Sequence, residues 1–495
     1  MTQLLKGSLL IAALVLAGCD NDSPTRTQET LQLSLCPRDV GAPPPVVNGA
    51  ECGELEVPLD PNHPDGETIT LAIKRWPAIS AVAEPDPVFV IAGGPGQSAI
   101  EVSDRLGPSF FNLRKKRDIV FVDQRGTGQS APLNCELEQN LSLSQLSADT
   151  EAHTLKQLKQ CAETHKQRAP FVLTPYAIDD LESVRQALGY AHINLWGGSY
   201  GTRVALRYMA RYPQALRSVV LDGLAPVSLS VPYRMGESAN AALQTLADQC
   251  LADAKCGGRY GNIEAIAENL AQTLSRQPVE LSIEHPLTGS PQQVLLDADK
   301  LAAIVRLALY DRLSARLIPY TLFAAGQGDY QPLASLVSQF LAPEHTMNIA
   351  MGMHLSILCN EDTGVRPLPE RATFLTVDLA EVMLQACEFW PRAPLPADYY
   401  QPVASSVPAL LLSGAADPVT PPKWGEQVAA SLTQATHLVA PGGHHGITTQ
   451  SCAAGVVTDF IRDLAVSDKS RQCIESIRPM PAYRDGVWTG ENRDD

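Results

Sequence analysis

The twenty residues from Ile193 to Tyr212, INLWGGSYGTRVALRYMARY, constrain this chain more than any others. A short apolar run, INLWG, stops at two glycines and a serine. Residues 202–212 then show helical periodicity and end before Pro213. A buried strand that turns through glycines straight into a helix is the unit of a parallel sheet, whose strands need helical crossovers. PVFVIA (87–92) and DIVFVD (118–123) are short, apolar and rich in β-branched residues, so both read as strands buried on two faces. A helix is expected at 179–188, closed by Gly189, and a further strand at RSVVLDG (217–223). Segments 52–60 and 67–77 read as a hairpin. The alternation predicts an α/β fold: a mostly parallel sheet with helices on both faces. With 495 residues, 45% apolar and 19% charged, the chain can bury a large core.

From residue 226 the rhythm breaks. Residues 226–402 are mainly helical in pattern, with Ala- and Leu-rich segments at 238–252, 263–275 and 298–315. The α/β pattern returns with VPALLLSGAAD (407–417), a helix near 424–432, and THLVAPGGHHG (436–446). A helical insertion within such a sheet is expected to be a cap that shields a site and selects substrates. The expected divisions are therefore a first core segment at 36–225, a cap at 226–402, and a second core segment at 403–495 that includes a C-terminal tail. No internal repeat is present.

Gly197-Gly198-Ser199-Tyr200-Gly201 is a G-x-S-x-G sequence. On composition alone about 0.2 chance matches are expected in a chain of this length. Its place between a strand and a helix is what carries weight, because that is the context of a nucleophile elbow. Small residues at 197 and 201 let the backbone fold back tightly, leaving the Ser199 hydroxyl exposed at the carboxyl edge of the sheet. A serine hydroxyl is weakly nucleophilic and needs a base. On a sheet of this kind the order is Ser, then Asp or Glu, then His. Asp417 ends one late strand and His445 follows the next, both at the same sheet edge as Ser199. Asp417 would orient the imidazole, and His445 would take the serine proton and return it to the leaving group. His444 is the alternative base. The developing oxyanion needs fixed donors. Tyr200 N–H is one, and the loop Gly93-Gly94-Pro95-Gly96 offers the second, with Gly94 preferred and Gly93 next.

Three of these segments together resemble the proline iminopeptidases: Gly93-Gly94-Pro95-Gly96, Asp123-Gln124-Arg125-Gly126-Thr127-Gly128-Gln129-Ser130 and Gly197-Gly198-Ser199-Tyr200-Gly201. A tripeptidyl-aminopeptidase-like branch of α/β-hydrolase serine peptidases is similar in further ways. The shared features are Cys250 and Cys256, Ile357-Leu358-Cys359-Asn360-Glu361-Asp362, Asp417 followed by Thr420-Pro421, and His445-Gly446 followed by Cys452. The resemblance covers roughly residues 36–475. It departs from the iminopeptidase pattern where Ala92 replaces a histidine before the glycines, and where Gly443-His444-His445-Gly446 replaces the usual Gly-x-Gly-His-Gly. The resemblance implies an α/β-hydrolase fold and a serine aminopeptidase acting near the free N-terminus of peptides, with one or three residues released. A cationic α-amine requires a carboxylate partner where it is buried. Acidic cap residues supply it in the family, so Glu361, then Asp362 and Glu237, are the expected amine anchors. The Asp123–Gly126 stretch is expected to brace the oxyanion loop. An esterase or lipase on the same fold, and a non-catalytic envelope lipoprotein, are the competing readings.

The N-terminus reads MTQLLKGSLLIAALVLAGC. One cation, Lys6, precedes an apolar run at 9–17 that suits a signal peptide but is too short to span a bilayer. Leu16-Ala17-Gly18-Cys19 resembles a bacterial lipobox, so residues 1–18 are expected to be removed and Cys19 lipidated. Residues 19–35 would form a flexible tether, polar and aperiodic over 20–30. This places the chain on the periplasmic side of the envelope, anchored in the inner or outer membrane. Ten further cysteines fall in neighbouring pairs, each closing a short loop: Cys36/Cys52, Cys135/Cys161, Cys250/Cys256, Cys359/Cys387 and Cys452/Cys473. An oxidising compartment would let such disulfides persist, although sequence alone does not fix connectivity. Neither C-x-x-C nor H-E-x-x-H occurs, so no metal and no cofactor are expected. The 38 Lys+Arg against 54 Asp+Glu give a net charge of −16, which argues against nucleic acid as a partner. Nothing in the pattern sets an oligomeric state.

Overall fold

The sheet of this protein is mixed at one edge and parallel through its centre. A computed structural model describes residues 31–37, 46–137, 148–284, 289–340 and 348–484. The expected signal peptide, Cys19 and the last residues of the C-terminal tail lie outside these. The strands are β1 (Ser34–Leu35), β2 (Glu51–Pro58), β3 (Thr68–Trp76), β4 (Val88–Ile91), β5 (Ile119–Val122), β6 (Ile193–Gly198), β7 (Leu216–Asp222), β8 (Val279–Glu284), β9 (Pro291–Leu296), β10 (Ala409–Gly414) and β11 (Ala435–Ala440). Among the described residues nine of them form one sheet in the order β1-β2-β3-β5-β4-β6-β7-β10-β11. β2 and β3 pair antiparallel as a hairpin, and β3 meets β5 antiparallel. Every pairing from β5 through β11 is parallel.

Alternate residues of these strands feed two cores, as the pleat requires. Phe89, Ile91, Val120, Val122, Leu195, Val219, Leu221 and Leu411 enter one. Val88, Val90, Ile119, Phe121, Trp196, Val220, Leu410 and Leu412 enter the other. That double burial is why the central strands are uninterrupted apolar runs. The last residues of the expected tether, 31–35, differ from expectation where they are described. Leu31 N–H donates to Ala187 O at 2.8 Å, and Ser34–Leu35 pairs with β2. Among the described residues no helix is long and apolar enough to cross a membrane.

All five neighbour pairs are disulfides: Cys36–Cys52, Cys135–Cys161, Cys250–Cys256, Cys359–Cys387 and Cys452–Cys473. Their Cα separations run from 4.8 to 6.2 Å. Several do more than the loop closure expected of them, two of them at the sheet. Cys161 lies on the helix Ala148–His165 and is buried in the first sheet core beside Leu158, so its bond to Cys135 pins that helix to the segment after β5. Cys473 lies on the helix Asp468–Glu475 and packs against the second core. Its partner Cys452 is the N-cap of the helix Ala453–Asp463, so this bond joins two helices. A buried half-cystine adds apolar packing to its covalent constraint.

Between β7 and β10 the chain leaves the sheet and divides in two. Helices Val231–Ala252, Ile263–Arg276, Ala298–Ala308 and Ile318–Gly326 share an apolar core of their own, including Leu243, Leu270, Leu301 and Leu322. An antiparallel hairpin, β8–β9, stands in this otherwise helical part. The later helix Met351–Asn360 instead packs Leu355, Ile357 and Leu358 into one of the sheet's own cores, with Trp390. This later helix thus packs with the main body, while Phe374 and Leu375 beyond it return to the insertion's own core. The expected helix over 298–315 is also broken. It stops at Ala308, and Asp311 caps a new short helix, Arg312–Ala315, by accepting from Leu313 and Ser314 N–H.

Candidate active site

Ser199 sits between β6 and the helix Tyr200–Arg211 with φ 54° and ψ −122°, a conformation costly for a residue with a side chain. The glycines around it make this turn possible. A Cβ on Gly197 would overlap the Gly201 carbonyl, and one on Gly201 would overlap the carbonyl of Ile91 in β4. Ser199 N–H donates to Asp222 O at 2.8 Å, so the turn is hydrogen-bonded to the end of β7.

Asp417 follows β10 and is fully buried. Its Oδ1 accepts from Val419 and Thr420 N–H, each at 2.8 Å. Its Oδ2 accepts from Thr420 Oγ1 at 2.8 Å and lies 2.8 Å from Nδ1 of His445. Burial alone would raise the Asp417 pKa, but the imidazole and these donors hold it below the usual carboxylate value. Burial would likewise depress His445. The charge of Asp417, its hydrogen bond and the nearby Asp222 outweigh that, and the imidazole pKa is raised. His445 lies against Gly223, where a Cβ would stand 3.2 Å from its Cε1. Gly223 directly follows the residue that holds Ser199.

His444 does different work. Its Nδ1 is 2.6 Å from Leu309 O, and its burial lowers its pKa. His445 N–H donates to Tyr310 O at 3.1 Å, and the Tyr310 ring meets the His445 ring edge-on with centroids 5.4 Å apart. Both carbonyls come from the break after helix Ala298–Ala308, where helical partners end. The histidine turn is therefore clamped by the insertion.

In the glycine loop Gly93 packs against Ser199, where a Cβ would stand 3.0 Å from Ser199 Cβ. Gly94, at φ 105°, turns the loop back toward Gly96 and Gln97. Several groups hold this loop. Asp123 accepts from Ser98 Oγ at 2.6 Å and from Ile100 N–H at 3.0 Å. Ala350 N–H donates to Gly96 O at 2.9 Å, and His354 Nδ1 lies 3.1 Å from Pro95 O. Arg125 forms a buried bidentate pair with Asp180, 2.6 Å on each arm, and donates to Leu59 O and Phe171 O, so it ties the hairpin and later helices rather than the glycine loop. Tyr200, whose N–H follows the nucleophile, anchors its hydroxyl 2.8 Å from Thr174 Oγ1.

The expected amine anchors are not brought to the triad as open carboxylates. Glu361 is buried and accepts from Thr174 N–H at 2.7 Å, Thr174 Oγ1 at 2.9 Å, Tyr399 OH and Arg203 at 3.4 Å. Asp362 is buried and lies 2.7 Å from Arg203. Arg203 belongs to the helix after Ser199, and its buried cation has to be neutralised, so these two carboxylates are taken up inside the protein. Glu237 is partly exposed and ion-paired to Arg234 and to Lys423. The disulfide cysteines, Cys161 and Cys473 among them, are structural: their sulfurs are bonded to one another and leave no thiol for chemistry. Sequence reading gave Thr420 no role of its own and missed Asp222 and the carbonyls of Leu309 and Tyr310. The first two had the signal that revealed Asp417, a polar residue at or just after the carboxyl end of a core strand.

A serine elbow, an Asp–His pair and a glycine loop at one sheet edge are the parts required for acyl transfer. Residues 86–449 match a family described as alpha/beta hydrolase fold. The chain is 25% identical over 503 residues to the serine protease Hip1 of Mycobacterium tuberculosis, covering 92% of this chain and 95% of that protein. It is 31% identical over 204 residues to a tripeptidyl aminopeptidase of Streptomyces lividans, covering 38% and 37% respectively. To a proline iminopeptidase of Aeromonas sobria it is 31% identical over 249 residues, covering 49% and 52%.

Proposed function

From the premise that this chain belongs to the α/β-hydrolase fold family, we propose that it is a serine aminopeptidase. Ser199 attacks the carbonyl of a peptide bond near a free N-terminus, and His445 takes its proton. Asp417 holds the imidazole and stabilises the imidazolium. The oxyanion is received by Tyr200 N–H and the Gly93–Gly94 loop. His445 gives that proton to the departing amine as the C–N bond breaks, leaving an acyl-enzyme; His445 then deprotonates the water that cleaves it, and the proton returns to Ser199. The observation that carries this reading is the 2.8 Å Asp417–His445 contact beside Gly223, whose neighbour Asp222 holds the Ser199 turn. Similarity to proteins named serine protease, tripeptidyl aminopeptidase and proline iminopeptidase favours a peptide substrate over a simple ester.

The test uses aminoacyl, prolyl and tripeptidyl chromogenic amides, each with and without an N-acetyl block. Free-amine substrates are expected to turn over and blocked ones to fail, and Ser199→Ala is expected to abolish both turnover and fluorophosphonate labelling. Equal turnover of blocked amides would remove the aminopeptidase reading. We also propose that the protein is exported and anchored through a lipid on Cys19, on the periplasmic side of a bacterial membrane. The five disulfides support an oxidising compartment. An alkyne fatty acid fed to cells should label the wild-type protein and not Cys19→Ala.

A further inference from the structure

Asp222 ends β7 and is buried, yet the hydrolytic steps above make no use of its side chain. Both ends of the residue are nevertheless committed. Its carbonyl accepts the Ser199 N–H at 2.8 Å. Its Oδ1 accepts from Ile447 N–H and its Oδ2 from Thr448 N–H, each at 2.7 Å. Those two amides lie two and three residues after His445. Thr448 Oγ1 in turn accepts from Trp196 Nε1 at 3.0 Å, and Trp196 belongs to β6, which ends at the elbow. Burial raises the Asp222 carboxyl above its usual value, and the two backbone donors oppose that by favouring the carboxylate; hydrogen bonds to a carboxylate are short, so this is a stiff connection.

We infer that Asp222 is a positioning residue that fixes nucleophile and base relative to each other, its carbonyl holding Ser199 and its carboxylate holding the turn that carries His445. The inference rests on the serine-hydrolase reading of the site. It adds a second carboxylate to the surroundings of the imidazole. From the loop after β10 the imidazole faces Asp417 and Thr420, from β7 it faces Asp222, and from the insertion it faces Tyr310 and Arg306. The Asp222 charge stabilises the imidazolium and the Arg306 charge opposes it.

The test is Asp222→Asn in the full chain, with folding checked by circular dichroism and thermal melting. The amide has the size of the carboxylate but carries no charge and can accept only through one oxygen. The fluorophosphonate labelling rate and kcat on a free-amine amide should fall together by about tenfold or more, with KM shifted by less than about threefold. The acid limb of kcat/KM should also move to lower pH, because one anion facing the imidazole is gone. Labelling and kcat within about twofold of wild type would overturn the inference. Slowed labelling with an unmoved acid limb would overturn it too, since a mere structural prop would behave that way. Wild-type protein that does not label refutes the serine reading itself, and the inference with it. If Asp222→Asn does not fold, Asp222→Glu decides: the charge is kept and residues 447–448 are displaced, so kcat should fall with the limb in place. Wild-type kcat in the Glu variant would overturn the inference.

Discussion

In the proposed mechanism His445 must be neutral to accept the Ser199 proton, so its ionisation would set the low-pH boundary of activity. Asp417 and Asp222 both favour its charged form, and the net shift is upward from 6.5 despite burial. The acid limb of kcat/KM is therefore expected above 6.5, the ordinary histidine value. A limb below that value would contradict the arrangement. The same proton is linked to stability. Because the folded pKa is raised, the contribution is complete below the unfolded value and is lost as pH rises through the folded value. At this scale the sequence was legible wherever a residue's type answered to one requirement. Ser199 between two glycines and Asp417 after an apolar strand are such cases. Glu361 was not, because a carboxylate near the end of a helix can serve a substrate or an internal arginine. Only packing reveals that Arg203 is there to claim it.

The elbow works as an element because three stretches of backbone touch with no side chain between them. Gly201→Ala would drive a methyl group into the Ile91 carbonyl and to 2.9 Å from that of Ala92. The expected cost is about 2–4 kcal/mol, seen as a lower urea midpoint at unchanged slope and with activity lost. A loss under about 0.5 kcal/mol would mean that the turn has room it is not drawn with. Strands and helices of the sheet could be read closely from pattern, since period-two burial and glycine punctuation leave few choices. The insertion resisted reading. Its helices are apolar along one face, but pattern does not say which core that face will join. Met351–Asn360 joins the sheet's core, while Val231–Ala252 helps to build a separate one. The break at 309–311 was also hidden, because Asp311 is an ordinary surface residue until it caps a helix.

Across the whole molecule, the disulfides tie neighbouring segments rather than distant ones. Spacing made the pairs legible, but not that Cys161 and Cys473 would sit against the two sheet cores, since a cysteine's packing partners leave no mark on its spacing. Cys359–Cys387 closes a loop of sequence separation 28 within the part of the insertion that packs under the glycine loop. Replacing both cysteines by alanine should cost about 3–4 kcal/mol on chain-entropy grounds. It should also lower kcat more than it raises KM, because Ala350 and His354 support the loop proposed to receive the oxyanion. A melting temperature and kcat unchanged from wild type would show the bond to be redundant. The clamp that Leu309 and Tyr310 place on the histidine turn reaches further. A truncated protein lacking residues 223–408 would still carry Ser199, Asp417 and His445, but would lose the two acceptors that hold the histidine turn, one on the His444 ring and one on the His445 N–H. The base is thus seated partly by chain from outside the sheet, and losing either carbonyl would loosen the turn that bears it.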